Sequence, residues 1–363
     1  MARIMHIADC HLGCRQYGMR RREEDFYAAF ADAADKAIEE KVDAVVIAGD
    51  LFDSVKPTAE AVYIVSKVVK GLDNAGIRVF GIEGNHDFTG DGYWLEVCGI
   101  TPLSNVEDSL NDFKLCDIRI AGIPYMRPDN LVQTINAAAD AGTEVDVLVL
   151  HTGFVEMGDS YSGELSVNSV LPALKKMGVR YVALGHIHIP MEPVFGGIHF
   201  AQPGSIELKD VSEPFAKQAL IVEIDGESGN VTQRPVPIAS RPVDVFTVSN
   251  DEELHNLLEM AAKKMLWRHF VIANVANTIP DGARRIEEGL AAADAVFRIC
   301  VFDATTGVSG TTEYEREKAM PTLAAAVDAF FDEDDERHRL VTEILRTPAN
   351  LRVIVENFMK KTA

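Results

Sequence analysis

Five short motifs rich in aspartate, asparagine and histidine lie along the first half of the chain. They are Asp9-Cys10-His11, Gly49-Asp50-Leu51-Phe52-Asp53, Gly84-Asn85-His86-Asp87, His151 and Gly185-His186-Ile187-His188. A single Asp-x-His or a lone histidine is weak support, because buried and hydrogen-bonded histidines are the usual case. In this order, the carboxylate, amide and imidazole groups together indicate a site for divalent cations.

Such a ligand set suits the hydrolysis of a phosphodiester bond. The reaction needs a water made nucleophilic at neutral pH and a neutralised phosphoryl group, and two cations ~3.5–4 Å apart provide both. One carboxylate must bridge the cations, and Asp50 is the candidate. Nitrogen and oxygen ligands without thiolate suit Mn²⁺, with Fe, Zn or Co as alternatives. Gly49, Gly84 and Gly185 would permit the tight turns that present these ligands.

Each motif follows or ends a strand-like segment. The predicted strands are 3–9, 43–49, 77–83, 146–151 and 180–185. Apolar residues at helical spacing predict helices at 23–40, 58–74, 130–141 and 168–177. Alternating strands and helices indicate a layered α/β domain, in which sites collect at the strand ends.

After Pro190 the pattern changes to hairpins. The segments 194–200, 216–224 and 231–236 read as strands that could build a second sheet. Two mixed sheets flanked by helices would then form a sandwich. The prolines at 235, 237 and 242 indicate a linker.

The remainder of the chain predicts a smaller unit and a tail. A β-α-β-α-β pattern covers 243–302, and a stretch rich in Gly, Ser and Thr at 305–312 reads as a second linker. The apolar helical stripes at 322–361 must be buried either on the same chain or on a partner.

The composition narrows the class of protein. The chain has 363 residues, of which 47% are hydrophobic and 25% charged, so two globular domains with an accessory segment are expected. No apolar run or N-terminal leader predicts a membrane or secreted protein, and five cysteines without a C-x-x-C pair indicate reduced thiols in the cytoplasm. A net charge of −21 argues against broad nucleic-acid binding, although a basic groove or bound cations would still hold phosphate.

The five motifs in this order resemble the calcineurin-type metallophosphoesterase superfamily. The stretch from His11 to Tyr17, followed by Arg22-Glu-Glu-Asp25-Phe26, is similar to the first motif region of the Mre-eleven (SbcD) type double-strand-break repair nucleases. The Pro203-Gly204-Ser205 turn and the cap-sized domain after residue 242 are similar too.

The resemblance implies an α/β (α+β) fold, a four-layer metallophosphoesterase sandwich of two mixed sheets flanked by helices, plus a small α/β cap domain and a C-terminal helical tail. The corresponding domains are 1–238 for the nuclease, 243–304 for a DNA-binding cap and 313–363 for a tail that binds an ATPase partner.

The family's activity is a further implication. It is a manganese-dependent DNA nuclease, a 3′-to-5′ exonuclease on duplex ends and an endonuclease on single strands. It works on the nucleoid with an SMC-like ATPase, Rad-fifty (SbcC), and forms homodimers through helices in the region of 58–74.

Carried over position by position, the resemblance implies two Mn²⁺ per chain. The first would be held by Asp9, His11, Asp50 and His188, and the second by Asp50, Asn85, His151 and His186. His86 would be the catalytic histidine, which protonates the leaving oxygen or stabilises the transition state. Asp53 stands where Mre-eleven members often have histidine, and we expect its carboxylate to pair with the ring of His86 and to fix its tautomer.

Arginines after the first motif offer a possible DNA contact. The densest basic cluster comprises Arg15, Arg20, Arg21 and Arg22. Contact with the DNA backbone and pairing with the neighbouring acidic residues are equally open. Arg127 and Lys209 are further candidates for phosphate contact, and aromatic residues such as Tyr125 for base stacking.

The metal motifs alone leave another function open, a metallophosphoesterase acting on small nucleotides or phosphoproteins. The cap, the tail and the 11–17 stretch favour the nuclease, since a minimal phosphatase needs none of them. The chain has no G-x-x-x-x-G-K-[ST] motif, so any dependence on ATP would come from a partner.

Overall fold

The computed structural model describes residues 1–103, 114–158, 165–304 and 309–315, the last range for its backbone only. The chain divides into two compact units. Of the described residues, the first comprises those within 1–16, 20–243 and 268–270, and the second those within 17–19, 244–267 and 271–315.

The first unit alternates strands and helices along the chain. Its strands are β1 (Ala2–Ile7), β2 (Ala44–Ala48), β3 (Arg78–Ile82), β4 (Thr101–Pro102), β5 (Lys114–Leu115), β6 (Ile118–Ile123), β7 (Val147–His151), β8 (Tyr181–Gly185), β9 (Val194–Phe195), β10 (Ile198–Ala201), β11 (Lys217–Ile224) and β12 (Val231–Ile238). Its helices are α1 (Arg20–Glu39), α2 (Ala59–Asn74), α3 (Tyr93–Val97), α4 (Pro128–Asp140) and α5 (Leu171–Lys176), with short 3₁₀ turns at Gln16–Gly18, Val155–Met157 and Val167–Ser169.

The first sheet has the strand order β12-β11-β1-β2-β3-β4. β1 to β4 run parallel. On the β1 side, β11 pairs antiparallel with β1, and β12 pairs antiparallel with β11. The prediction that 216–224 and 231–236 build the second sheet is therefore wrong. Alternating apolar residues identify a strand but do not identify its partner, which here lies more than 200 residues away in sequence.

The second sheet has the order β5-β6-β7-β8-β10-β9. β6, β7, β8 and β10 run parallel, and β5 and β9 are short antiparallel strands at the two edges. All residues of β7 and β8 are buried, as expected for parallel strands covered on both faces.

Three apolar layers hold the two sheets and their helices together. One core lies between the sheets and includes Val46, Phe80 and Val149. A second packs α1 and α2 against the first sheet, and a third packs α4 and α5 against the second. The four-layer sandwich of two mixed sheets flanked by helices is confirmed.

Two of the prolines predicted to form a linker lie inside β12. Pro235 and Pro237 pair with Leu220 and Gln218 of β11. β12 is the edge strand of its sheet, so a residue without an N–H can occupy positions that point away from the ladder. The linker prediction is wrong for these two positions.

The second unit contains a four-stranded sheet in the order β13-β14-β15-β16. Its strands are β13 (Val243–Val248), β14 (Phe270–Ala276), β15 (Val296–Phe302) and β16 (Ser309–Glu315), and its helices are α6 (Asp251–Ala262) and α7 (Gly282–Ala292). Both helices pack on an apolar core that includes Leu257, Val271 and Ile286.

β16 was missed because its Gly, Ser and Thr content is typical of a linker. It pairs antiparallel with β15, so the predicted linker at 305–312 is wrong from Ser309 onward. The predicted helical tail at 313–363 lies outside the described residues, except for 313–315, which belong to β16. None of the described helices is long and apolar enough to cross a bilayer.

Candidate metal centre

The five motifs meet at the carboxyl ends of the parallel strands. Asp9 and His11 follow β1, the 50–53 motif follows β2, the 85–87 motif follows β3, and His151 and the 186–188 motif come at the ends of β7 and β8. The loops are joined by backbone hydrogen bonds, such as Asp9 N to Gly49 O at 3.2 Å. The amide of His186 donates to both carboxylate oxygens of Asp9 at 3.0 Å, which links the second sheet to the first.

Several of these residues adopt backbone conformations that are unusual for side chains with a Cβ. The φ angles of Asp9, His11, Asp50 and His186 are 51°, 45°, 48° and 98°. Such strain concentrates at functional sites, because the surrounding structure must hold it.

Gly49 is required by space and by conformation, and Gly84 by space. Gly49 has φ 89°, and a Cβ there would lie 2.2 Å from Nδ1 of His151. A Cβ at Gly84 would lie 2.1 Å from Oδ1 of Asp50. The close approach of backbone to ligand, rather than the turn alone, explains these glycines.

One group of side chains converges at the end of β1. Nε2 of His11 and Nε2 of His188 are 3.1 Å apart. Nε2 of His188 lies 4.0 Å from Oδ1 of Asp9. The three ligand atoms are close enough to surround a single ion.

A second group converges between β2, β3 and the second sheet. Nε2 of His151 lies 3.1 Å from Oδ1 of Asn85 and 3.4 Å from Oδ2 of Asp50. Nδ1 of His186 lies 3.0 Å from the same amide oxygen of Asn85. Oδ2 of Asp50 is also 3.8 Å from Nε2 of His11, so this oxygen faces both groups.

The residues fit divalent metal ions in spacing and in tautomer. Ligands at about 2.1 Å and at right angles would be about 3 Å apart. The shortest separations in the two groups match this spacing, with 3.1 Å between His11 and His188 and 3.0 Å between His186 and Asn85. Nδ1 of His151 faces the carbonyl oxygen of Ala48 at 2.8 Å, and Nδ1 of His188 faces a carboxylate oxygen of Glu213 at 2.6 Å. With Nδ1–H donating in each case, the lone pair of Nε2 is left for a metal.

The charges in the cluster favour a cation. Burial raises the pKa of Asp9, although His188 and His151 oppose the shift. Burial lowers the pKa of His11 to about 4, so this imidazole is neutral at neutral pH. Burial also opposes protonation of His151, but Asp50 outweighs it and raises the pKa of His151 to about 9. A divalent ion at Nε2 would displace that proton.

His86 lies beside the cluster, and its predicted partner is corrected. Nδ1 of His86 is 3.1 Å from the backbone carbonyl oxygen of Asp53 but 3.9 Å from its carboxylate. The Asp53 carboxylate instead accepts from Lys209 at 2.8 Å and lies 3.2 Å from Nδ1 of His11. The backbone carbonyl of Asp53 therefore fixes the tautomer of His86, and the side chain of Asp53 contacts His11 instead.

The basic cluster after the first motif divides into buried and exposed members. Arg22 is fully buried and donates to Asp25 at 2.6 Å and to Glu207 at 2.9 Å, so a DNA contact by Arg22 is wrong. Arg15 and Arg20 pair with Glu23. Burial of a helix face explains the difference, because Arg22 points into the unit from α1.

Sequence reasoning assigned no role to Asp87 and Glu213, which support the cluster. Asp87 accepts backbone N–H groups of Phe52 at 3.1 Å and Gly84 at 2.8 Å, so it ties two motif loops together. Tyr125, a predicted base-stacking residue, places its ring 6.2 Å from that of His151. Glu213 comes in a loop, where no periodic pattern distinguishes a buried glutamate from an exposed one.

Two mixed sheets that present carboxylate, amide and imidazole ligands at joined strand ends define a metallophosphoesterase. The family model of the calcineurin-like phosphoesterases matches residues 2–190, which is more than half of the chain.

Known relatives agree with this assignment. The DNA double-strand break repair protein Mre11 of Saccharolobus solfataricus is 31% identical over 281 residues, which cover 71% of this chain and 72% of that protein. Mre11 of Aeropyrum pernix is 25% identical, over 73% of this chain and 68% of that protein. Mre11 of Archaeoglobus fulgidus is 32% identical, over 58% of this chain and 51% of that protein.

The chain therefore belongs to the calcineurin-like phosphoesterase family, in its Mre11 branch, and is a metal-dependent phosphodiesterase.

Proposed function

We propose that the chain is a manganese-dependent DNA nuclease that processes DNA ends in double-strand-break repair, as a 3′-to-5′ exonuclease on duplexes and an endonuclease on single strands. The observation that carries the proposal is the convergence of two ligand groups on Oδ2 of Asp50. The DNA substrate is supported by the names of the relatives, which are DNA double-strand break repair proteins.

Two Mn²⁺ ions would occupy the cluster. Asp9, His11, Asp50 and His188 would hold the first, and Asp50, Asn85, His151 and His186 the second. When bound, such ions neutralise the phosphoryl charge and activate water for attack. The chain fixes the Asp50 carboxylate through its other oxygen, Oδ1, which accepts the backbone N–H of His86 at 2.8 Å.

His86 would be the proton donor for the leaving oxygen. With Nδ1–H donated to the carbonyl oxygen of Asp53, Nε2 is the nitrogen that exchanges a proton with substrate. The side chain of His86 is 37% exposed, so substrate can reach it, whereas the side chain of His11 is 1% exposed. This difference favours a catalytic role for His86 and a ligand role for His11.

The acidic chain would bind phosphate through its ions more than through its basic residues. Two dications outweigh the carboxylates of Asp9 and Asp50 by two charges, which offsets locally the net charge of −21. Arg127 is exposed in the loop after β6, close in sequence to Tyr125 beside the cluster, and is the best placed arginine for the DNA backbone. Arg15, Arg20 and Arg21 remain weaker candidates.

A partner-binding tail and a cap are further parts of the proposal. The tail at 313–363 would bind the SMC-like ATPase, and residues 243–304 would form the DNA-binding cap. Because β16 ends at Glu315, a chain shortened to residue 315 tests the tail without cutting the sheet. This shortened chain should lose co-purification with the ATPase and keep its nuclease activity, and continued association would contradict the assignment.

A homodimer would form near α2. The inward side of α2 packs in the core through Val65 and Val69, whereas Tyr63 of α2 and Tyr93 of the adjacent α3 are 67% and 52% exposed. A Tyr63→Glu variant that stays monomeric in light scattering, beside a dimeric wild type, would support this interface. An unchanged dimer would exclude it.

The deciding experiment compares substrates under Mn²⁺. End-labelled duplex DNA, circular single-stranded DNA, bis(p-nitrophenyl) phosphate and p-nitrophenyl phosphate are incubated with wild type and His86→Ala. Asp146→Asn is a matched control, because this carboxylate is buried at the opposite end of β7. DNA cleavage by wild type and Asp146→Asn, lost in His86→Ala, supports the nuclease. Activity confined to the small substrates refutes it and favours the alternative phosphoesterase.

A further inference from the structure

The loop that carries His188 is hydrogen-bonded to the segment between β10 and β11. The side-chain amide of Gln202 donates to the carbonyl oxygens of Ile187 and Ile189, the residues on either side of His188, with 3.0 Å to Ile189. Gln202 is 1% exposed. The backbone at His188 is therefore fixed by a buried side chain that takes no part in metal binding.

The ring of His188 is held by the same segment. Oε1 of Glu213 lies 2.6 Å from Nδ1 of His188. Oε2 accepts from the hydroxyl of Ser205 at 2.8 Å and from the ammonium of Lys217 at 2.6 Å. Two backbone N–H groups at 3.0 and 3.2 Å complete the set of donors. The carboxylate has five donors, which leave it little freedom to move.

Stability alone does not explain this buried ion pair. Glu213 is 7% exposed and Lys217 is 4% exposed. Burying two charges costs about as much as their attraction returns, and an apolar pair of similar size is often no less stable. A fixed negative charge at Nδ1 of His188 is what an apolar pair could not supply.

We propose that Glu213 is a positioning residue for metal binding by His188, with Ser205 and Lys217 holding its carboxylate in place. This inference rests on the proposed function, in which His188 is a ligand. A carboxylate that accepts Nδ1–H selects the tautomer with a free lone pair on Nε2, fixes the ring plane and makes the imidazole a stronger donor.

The effect should be confined to one of the two metal positions. Nδ1 of His151, in the second ligand group, faces the neutral carbonyl oxygen of Ala48 rather than a carboxylate. Loss of Glu213 should therefore weaken Mn²⁺ binding at the position that includes His188. Binding at the position that includes His151 should be unchanged.

The test measures Mn²⁺ binding to the full metal-free chain by calorimetry. Glu213→Gln is combined with Lys217→Met, so that no buried charge is left without its partner. Wild type is expected to bind two ions, and the double variant to bind one with unchanged affinity and the other about 10- to 100-fold more weakly. Ser205→Ala, which removes one donor, is a milder variant expected to weaken the same position about fivefold.

Two controls separate positioning from general damage. Asp146→Asn removes a carboxylate of similar burial, which accepts the backbone N–H of Arg119, and should keep both affinities. His188→Ala should lose the same position, and adding the Glu213 and Lys217 changes to it should cause no further loss of affinity.

The outcomes for the inference and for the proposed function are distinct. The role of Glu213 would be overturned if the double variant or Ser205→Ala folds and binds both Mn²⁺ ions with wild-type affinity. A further loss of affinity when the Glu213 and Lys217 changes are added to His188→Ala would overturn it too. A wild type that binds no Mn²⁺ would instead overturn the proposed function, and the inference would fall with it.

Discussion

Acid should destabilise the first unit through His6, a buried histidine on β1 outside the proposed ligand set. His6 is fully buried, with Nδ1 2.9 Å from the hydroxyl of Tyr181 and Nε2 3.1 Å from the carbonyl oxygen of Leu184. The neutral ring satisfies both contacts when Nε2–H donates and Nδ1 accepts. Burial lowers the pKa of His6 from 6.5 to about 3.

The sign and size of the effect follow from these two pKa values. As the pH falls below 6.5, the unfolded chain binds a proton at His6 that the folded chain does not bind until the pH is about 3. The unfolded state is favoured in that window, by about 1.4 kcal/mol per pH unit. Between pH 7 and pH 5, His6 should remove about 2 kcal/mol from the free energy of unfolding.

The assay is urea unfolding of metal-free protein at several pH values between 7 and 5, for wild type and His6→Gln. Chelation keeps metal release out of the comparison. A Trp267→Phe background leaves Trp94 as the tryptophan of the first unit, since the chain has two. His6→Gln is expected to be less stable at pH 7, yet to lose about 2 kcal/mol less on acidification. Parallel pH profiles for the two proteins would refute the reasoning.

Three further substitutions test the cluster and its support. His86→Ala should keep its Mn²⁺ in calorimetry while DNA cleavage falls by about 10²- to 10⁴-fold, and loss of an ion would make His86 a ligand instead. Arg22→Met should lower the free energy of unfolding in urea by about 3–5 kcal/mol, because it leaves the buried carboxylate of Glu207 without its cationic partner. The exposed Arg21→Met should change it by less than about 0.5 kcal/mol. Gly49→Ala should impair Mn²⁺ binding, because its Cβ would overlap His151, whereas Gly71→Ala, in open space on α2, should bind as wild type does.

The convergence of the five motifs was predictable from sequence because the strands that carry them are parallel. Each motif comes at the carboxyl end of its own strand, and these ends meet at one edge of a sheet whatever the details of packing. Local patterns were therefore enough to predict that Asp9, Asp50, Asn85 and His151 lie at one edge of the sheets.

Partners that depend on packing between distant segments were not predictable. The Asp53 carboxylate turns to Lys209, 156 residues further on, and not to the nearer His86. β11 pairs with β1, which lies more than 200 residues earlier in the chain, although the sequence of β11 is compatible with either sheet. Arg22 is fully buried, but an arginine beside three acidic residues reads as exposed. In each case the local sequence is compatible with two structures, and the packing of distant segments decides between them.

The carboxylate orientations at the centre show how the two sheets share one function. Both oxygens of Asp9, which follows β1, accept the backbone N–H of His186, which follows β8. Oδ1 of Asp50 accepts a backbone N–H from the loop after β3, so its Oδ2 is the oxygen left to face both ligand groups. Because backbone donors from both sheets set these orientations, a small shift of one sheet against the other would change the ligand geometry before it opened the apolar core. Mild substitutions in the core between the sheets should therefore weaken metal binding while the unit stays folded. Only more severe substitutions there should unfold it.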